Sequence, residues 1–399
     1  MAKSERELEQ QQQKIEYSNK ELKVFIADVI PFDCCKRENM DDRMLEMENL
    51  VHTYGGVVIL KHIQKRGTPD YNTYIGEGKL DEIIEEMERF GAKILIFGNA
   101  LKSHQMYKIN EKLRKIGAKA WDRIDLILKI FEKNAKTIES RLQIELASIH
   151  HMGPRIFGMG MELSRQGGGS KLARGKGETN TEIMKRHLRK MEETIKKELE
   201  KYKKVRKEHR KHRERLGFFT VGIVGYTNAG KSSLLNTLTK KGVLSEDKLF
   251  ATLGTSVGKL FIPYEEMKLD DIDTFQNLGN TGIEILLSDT IGFIRDLPPN
   301  LIEAFSSTLE DSIESDILLH VVDSTDTKID EKMRVVEDIL ASIGANQKRL
   351  FVFNKIDLLS AEEIEVLKNK YSDINPIFVS SYKKKGFDDL KQAIISSLA

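Results

Sequence analysis

The chain has 399 residues, and its 64 Lys and Arg nearly balance 62 Asp and Glu, so it is long enough for two to three domains that each bury a core and carries no large net charge. No run approaches the ~18 apolar residues of a membrane span and the first twenty residues are polar, which argues against a membrane-spanning or secreted protein and predicts a cytoplasmic one. The only cysteines, Cys34 and Cys35, are adjacent; they are too few for a metal site, are badly placed for a structural disulfide and are read as packing residues.

A polar tail, residues 1–23, precedes an alternation of short apolar runs and helical patterns. Strands are predicted at Val24 to Val29, Gly56 to Leu60, Lys93 to Phe97 and Lys119 to Trp121, with helices at Asp42 to Tyr54, Lys79 to Phe90 and Ser103 to Ile116. This order predicts a small α/β domain over residues 24–124 with a largely parallel sheet. Gly76-Glu77-Gly78-Lys79 has half the glycines of a nucleotide loop and no strand before it, so it is read as the turn that starts a helix.

Residues 125–215 predict a stalk of two long antiparallel helices. The first runs from about Asp125 to His151, with Leu126, Ile130, Ile138, Leu142 and Leu146 among its apolar positions. The second opens at the capping-box pattern Thr179-Asn180-Thr181-Glu182, and Met184, Leu188, Met191, Ile195, Leu199, Tyr202 and Val205 recur along one face. Between Arg165 and Arg215 nineteen Lys and Arg face eight Asp and Glu, the footprint of a polyanion contact. The connection, residues 165–177, combines glycines with cations, and Arg165, Gln166, Lys171, Arg174 and Lys176 are its candidate RNA contacts.

Residues 216–399 carry the nucleotide chemistry. Gly225-Tyr226-Thr227-Asn228-Ala229-Gly230-Lys231-Ser232 is a phosphate-binding loop, set between an apolar run from Phe218 to Val224 and a helical start from Ser233 to Thr239. Its backbone N–H groups cradle phosphates, Lys231 reaches the terminal ones and Ser232 offers a hydroxyl to Mg²⁺. Downstream, Asp289-Thr290-Ile291-Gly292 ends the run Ile283 to Ser288, which places Asp289 to hold Mg²⁺ through water and Gly292 to sense the third phosphate with its N–H. Between them, Phe250, Ala251 and Thr252 are assigned to the first switch, with Thr252 favoured over Thr255 as a Mg²⁺ hydroxyl. Asn354-Lys355-Ile356-Asp357 follows the strand pattern Arg349 to Phe353; the Asp357 carboxylate can accept two hydrogen bonds from guanine, and GTP is favoured over ATP by a discrimination of ~10⁴. Ser380, Ser381 and Tyr382, after the strand pattern Ile377 to Val379, complete the cradle around the base. Phe293 follows Gly292 where many signalling GTPases place a water-orienting Gln, so hydrolysis is expected to be slow until a partner raises it by about 10³–10⁵.

Taken together, these segments resemble the HflX family of translational GTPases from about Val24 to Ala399. The resemblance is carried by Tyr74-Ile75-Gly76-Glu77-Gly78-Lys79, Asp122-Arg123, Gln143-Ile144-Glu145-Leu146-Ala147, Ser164-Arg165-Gln166-Gly167-Gly168-Gly169, Arg174-Gly175-Lys176-Gly177-Glu178-Thr179, the phosphate loop, and Asp289 through Pro298. It implies an α/β protein with a small N-terminal domain, a long two-helix stalk and a P-loop GTPase domain. It further implies a monomeric GTPase, with no DNA partner, that binds GTP and GDP with Mg²⁺, docks on the large ribosomal subunit through ribosomal RNA near the peptidyl-transferase centre, and splits or rescues stalled ribosomes. Two alternatives stand beside that reading: a ribosome-assembly or RNA-remodelling NTPase, and a factor that docks on hibernating ribosomes with a slow nucleotide timer. Asn228 resembles the asparagine through which certain relatives bind K⁺. The chain departs from its relatives at Leu253-Gly254-Thr255-Ser256-Val257, where they usually carry Asp-Pro-Thr-Thr, and in a long acidic insertion at about residues 263–283 that reads as an extended hairpin loop.

Overall fold

The structure is a computed structural model, and it describes residues 22–30, 37–135, 137–166, 180–215, 218–239, 256–267, 282–289, 292–295, 301 and 314–398. The chain divides into two compact units: residues 1–133 with 145–194, and 134–144 with 195–399.

The first unit is built on strands β1 (Leu22–Ile30), β2 (Gly56–Lys65), β3 (Ile94–Phe97) and β4 (Lys119–Asp122), in the order β2-β1-β3-β4 with every pair parallel. Helices α1 (Arg37–Tyr54), α2 (Glu77–Phe90), α3 (Ser103–Leu113) and α4 (Arg123–Asn134) connect or follow them. Phe25, Ala27 and Val29 join Leu80, Ile83, Met87, Met106 and Ile109 of α2 and α3 in one core. The alternate residues Val24 and Ile26 are also buried, so the sheet is covered on both faces as parallel sheets require. Gly76 precedes α2 directly, as its reading as a helix-start turn expects.

The single helix predicted from Asp125 to His151 is a correction: the chain makes α4 and then a separate α5 (Ile138–Gln166). Thr137 stops the first and starts the second, because its Oγ1 accepts the N–H of Ser140 at 3.1 Å and caps the new helix. Apolar periodicity could not show the break, since Leu126 and Ile130 are buried while Ile138 is 65% exposed. Arg165 and Gln166, read as loop residues, close α5. The second stalk helix, α6 (Asn180–Arg215), runs antiparallel to α5: His150 meets Glu192 at 3.1 Å in the first unit, and Glu139 meets Arg206 in the second. Its apolar face is buried only at the centre, at Ile195, whereas Met184 and Val205 near its two ends are exposed.

The second unit carries strands β5 (Phe219–Gly225), β6 (Ser256–Pro263), β7 (Gly282–Asp289), β8 (Ile317–Asp323), β9 (Lys348–Asn354) and β10 (Ile377–Phe378), in the order β10-β9-β8-β5-β7-β6. All pairs are parallel except β6 with β7, an antiparallel hairpin whose pairing runs out to Pro263 and Gly282. The acidic insertion therefore joins two paired strands; residues 268–281 lie outside the described residues. Helices α7 (Lys231–Thr239), α8 (Ile329–Ser342), α9 (Ala361–Lys370) and α10 (Phe387–Leu398) accompany the sheet, and Leu234, Leu235, Leu390 and Ile394 share a core with Val221, Ile223 and Leu319. Neither β6 nor the central β8 was singled out by the sequence reading.

Candidate functional site

The carboxyl edge of the second sheet gathers most of the residues picked out by sequence. At the end of β5 the chain turns at Gly225, where a Cβ would run into the carbonyl of Val321, and re-enters a helix after Gly230, where φ is 90° and a Cβ would run into the amide of Asn354. Only glycine fits either place, because the first packs on the neighbouring strand and the second combines left-handed backbone with close approach. Asn228 between them has φ 65° and is exposed.

Lys231 opens α7 with its side chain buried, and its Nζ donates to the carbonyl of Tyr226 at 2.8 Å across the loop. Burial lowers its pKa to about 8, against the opposing pull of Asp289, so the ammonium form still predominates at neutral pH. Ser232 Oγ donates to Asp289 Oδ2 at 2.6 Å. A hydroxyl and a fully buried carboxylate side by side at the mouth of an N–H-lined loop are hard oxygen donors of the kind Mg²⁺ takes, so these residues fit that ion.

The segment after β7 lies directly on the phosphate loop. A Cβ on Gly292 would stand 2.8 Å from Lys231 Nζ and 2.9 Å from Thr227 Cγ2, which explains glycine there. Phe293 donates its N–H to the Gly225 carbonyl at 3.1 Å and accepts from the Thr227 N–H at 2.8 Å, a parallel bridge between strand end and loop. Its ring is 2% exposed. The position that holds a water-orienting side chain in other GTPases therefore points its ring into the core here. Tyr226 ties the same segment down, with Oη accepting the Arg295 N–H at 3.0 Å.

On the other side of the loop, Asn354 Nδ2 donates to the Ala229 carbonyl at 3.0 Å, while its Oδ1 accepts from the N–H and hydroxyl of Ser381, each at 3.0 Å. One amide thus fastens the phosphate loop to the base-side loop. Asp357 is half-buried, and its Oδ1 accepts from Ser380 Oγ at 2.5 Å, which orients the carboxylate. Lys355 sits at φ 67° with Nζ 2.7 Å from Asp323 Oδ2, and Tyr382 is 86% exposed at the rim. Asp323 was missed, although a run from Ile317 to Val322, apolar except for His320 and ending in that acid, was available as the signal.

The structure thus brings together Gly225 to Ser232, Asp289, Gly292, Asn354, Asp357, Ser380 and Ser381. Ser233 follows in the first turn of α7. Phe250, Ala251, Thr252, Thr255, Thr290, Ile291, Lys171, Arg174 and Lys176 lie outside the described residues, and of Arg165 and Gln166 only the helical backbone is described.

Comparison with known proteins is consistent over 89–94% of the chain. Residues 41–132 match the family described as GTP-binding GTPase N-terminal, residues 134–213 the GTP-binding GTPase middle region, and residues 220–355 the family described as 50S ribosome-binding GTPase. GTPase HflX of Caldanaerobacter subterraneus subsp. tengcongensis is 41% identical over 355 residues, covering 89% of this chain and 76% of that protein. GTPase HflX of Escherichia coli is 34% identical over 363 residues, covering 91% and 80%. Among solved structures, the crystal structure of SsGBP in complex with GDP matches with a TM-score of 0.52 and 26% identity, over 94% of this chain and 98% of that one. A phosphate loop, an Asp-x-x-Gly strand end and an Asn-Lys-x-Asp base reader assembled on one sheet edge, behind an N-terminal region and middle region of the same family, make this chain a GTPase of the HflX family.

Proposed function

We propose that the protein binds the large ribosomal subunit and uses GTP binding and hydrolysis to split or rescue stalled or idle ribosomes. The observation that carries the reading is Phe293. With its ring in the core and its backbone bonded to Gly225 and Thr227, the chain offers no side chain at that position to orient the attacking water. A GTPase so built waits on its partner for the missing organisation. The middle region supplies a surface for an RNA partner, since α6 is a long helix rich in exposed Lys and Arg, and the 50S ribosome-binding family description supports the ribosome as that partner.

In this reading the N-terminal domain (24–124) and the stalk (125–215) dock, and residues 216–399 time the encounter. Backbone N–H groups of the phosphate loop, other than that of Thr227, which bonds Phe293, hold the phosphates, Lys231 swings from the Tyr226 carbonyl to the terminal phosphates, and Gly292 turns its N–H toward the third. Ser232, the switch hydroxyl of Thr252 and, through water, Asp289 would hold Mg²⁺, which would neutralise the developing phosphate charge. In this reading Asn228 is the candidate K⁺ ligand, and Asp357 with Ser381 reads guanine. Water attacks the γ-phosphorus as its bond to the β-phosphate oxygen breaks; GDP leaves as the anion, inorganic phosphate carries away the water's oxygen and protons, and the switch segments relax, which weakens the ribosome-bound form.

The test is GTP hydrolysis by the full-length protein, alone and with purified large subunits, at low and high K⁺. The expected result is a slow basal rate raised by about a hundredfold or more with subunits, followed by GTP-dependent release of subunits from whole ribosomes. Equal rates with and without subunits, or equal subunit binding with GTP, GDP and no nucleotide, would overturn the reading.

A further inference from the structure

The loop between β2 and α2 carries an arrangement that the nucleotide chemistry does not use. It is closed by reciprocal backbone hydrogen bonds between Asp70 and Tyr74, at 2.7 and 3.1 Å. Asp70 Oδ1 accepts from the N–H groups of Asn72 and Thr73 at 2.8 and 3.2 Å, Gln105 Nε2 donates to the Asp70 carbonyl at 2.7 Å, and Arg66 pairs with the second carboxylate oxygen at 3.2 Å. None of these bonds involves the ring of Tyr71, which stands at the tip 73% exposed. The imidazole of His104 stacks against it, with ring centroids 4.6 Å apart and planes at 29°, and the same imidazole bonds the Tyr71 carbonyl. The ring is therefore held in place before any partner arrives, so little conformational freedom is lost when something stacks on it.

The charges around the ring select the partner. Lys102 precedes His104 at the start of α3, Lys108 lies one turn beyond it on the same helical face, and Arg66 flanks the loop. Asp70 is already taken up by Arg66 and the turn, and Glu111 lies a further turn along α3. A fixed aromatic face among cations suits a base stacked out of a nucleic-acid strand, with phosphates on either side. We infer that Tyr71 and His104 form a stacking platform for one unpaired RNA base, with Lys102 and Lys108 placed for the neighbouring phosphates. The inference shares with the reading above the premise that RNA is the partner; its geometry is independent of the stalk loop.

The test uses the full-length protein with the stalk loop silenced by R165E, R174E and K176E, and follows binding of fluorescein-labelled oligouridine by anisotropy across a salt series. Tyr71→Ala is expected to weaken binding by about tenfold at every salt concentration, while Tyr71→Phe stays within about twofold, because stacking needs the ring and not the hydroxyl. Lys102→Glu with Lys108→Glu is expected to lower the salt slope by about 1.4. Unchanged thermal unfolding and basal GTP hydrolysis establish that the variants fold. Tyr71→Ala binding oligouridine as tightly as the parent overturns the platform, and so does a parent that binds no oligouridine. Tyr71-dependent oligouridine binding in a protein that never engages large subunits would leave the platform standing and remove the ribosome reading.

Discussion

Both sheets bring carboxylates to the carboxyl ends of their parallel strands, and the two units treat that charge in opposite ways. In the first, Asp28 on β1 meets the guanidinium of Arg43 at 3.0 Å and the hydroxyl of Tyr74 at 2.8 Å, and Asp122 at the end of β4 is paired with Arg155. Arg155 also grips Asp125 at 2.8 Å, and His151 lies 3.1 Å from the same carboxylate. Asp122, Asp125 and His151 have the spacing of a metal site, but the Arg155 cation occupies their charge. In the second unit Asp289 ends β7 beside a serine hydroxyl and a glycine-rich loop. A carboxylate answered by a guanidinium orders its own unit; one that accepts from a hydroxyl and faces the Lys231 ammonium has the oxygen-donor chemistry that suits a divalent cation. One sheet end is thus a lock and the other a receptor.

The largest break in this comparison is expected from Lys231→Ala, which removes the only described cation buried against the phosphate loop. Phosphate release should fall by about a thousandfold or more, with the thermal unfolding of the first unit unmoved; retained turnover would mean that the loop is not the reaction site. Next in size, Asp357→Asn should shift the preference between GTP and xanthosine triphosphate by at least about a hundredfold, read from competition binding, and an unchanged ratio would disqualify Asp357 as the base reader.

The lock is tested by Arg155→Ala, which leaves Asp122 and Asp125 buried without their cation and should cost about 3–5 kcal/mol of stability in urea unfolding, with GTP affinity unchanged. The same cluster predicts a pH dependence with two limbs. Burial alone would raise the Asp125 pKa, but the His151 hydrogen bond and the Arg155 charge outweigh it and hold it at about 2. Its contribution is present above the ordinary carboxylate range and is lost as pH falls toward about 2. His151 is pushed down by burial, and its hydrogen bonds to Asp122 and Asp125 outweigh that and raise it. That contribution is full below the ordinary imidazole value and is lost as pH rises through the elevated one. Asp125→Asn should flatten the acid limb; a pH profile identical to the parent's would show that the pair does not hold the unit together.

The smallest effect is expected from Phe293→Gln. Because the Phe293 ring faces the core, the amide cannot reach the nucleophile, and basal hydrolysis should stay within about threefold of the parent while stability drops by about 1–3 kcal/mol from burying the amide. Acceleration to the rate of a Gln-bearing GTPase would show that the segment turns over to face the phosphates.

Much of the second unit was readable because its chemistry is contiguous. Eight residues from Gly225 to Ser232 contain the turn, the lysine and the hydroxyl, and Asn354 to Asp357 hold the base reader within one turn of chain. The apolar runs before them are strands because a parallel sheet buried on both faces needs continuous apolar segments. The stalk was legible as two helices, yet its first helix was read through the Thr137 cap, since apolar spacing persists across the break. The central β8 and the edge β6 went unread for want of a motif, and with β8 went Asp323, whose part is to hold Lys355.

By itself the sequence determined the nucleotide loop, the choice of guanine, the absence of a glutamine after Gly292 and the order of the regions, because each depends on residues adjacent in the chain whose backbone preferences act locally. The tertiary structure alone decided that Phe293 is bonded to the phosphate loop with its ring in the core, that Asn354 joins the phosphate and base loops, that Arg155 fills the Asp122 and Asp125 cluster, and that His104 braces an exposed Tyr71. Those contacts join residues 27 to 125 positions apart, and only the packing of strands and helices that carry no motif sets the partners of such distant groups.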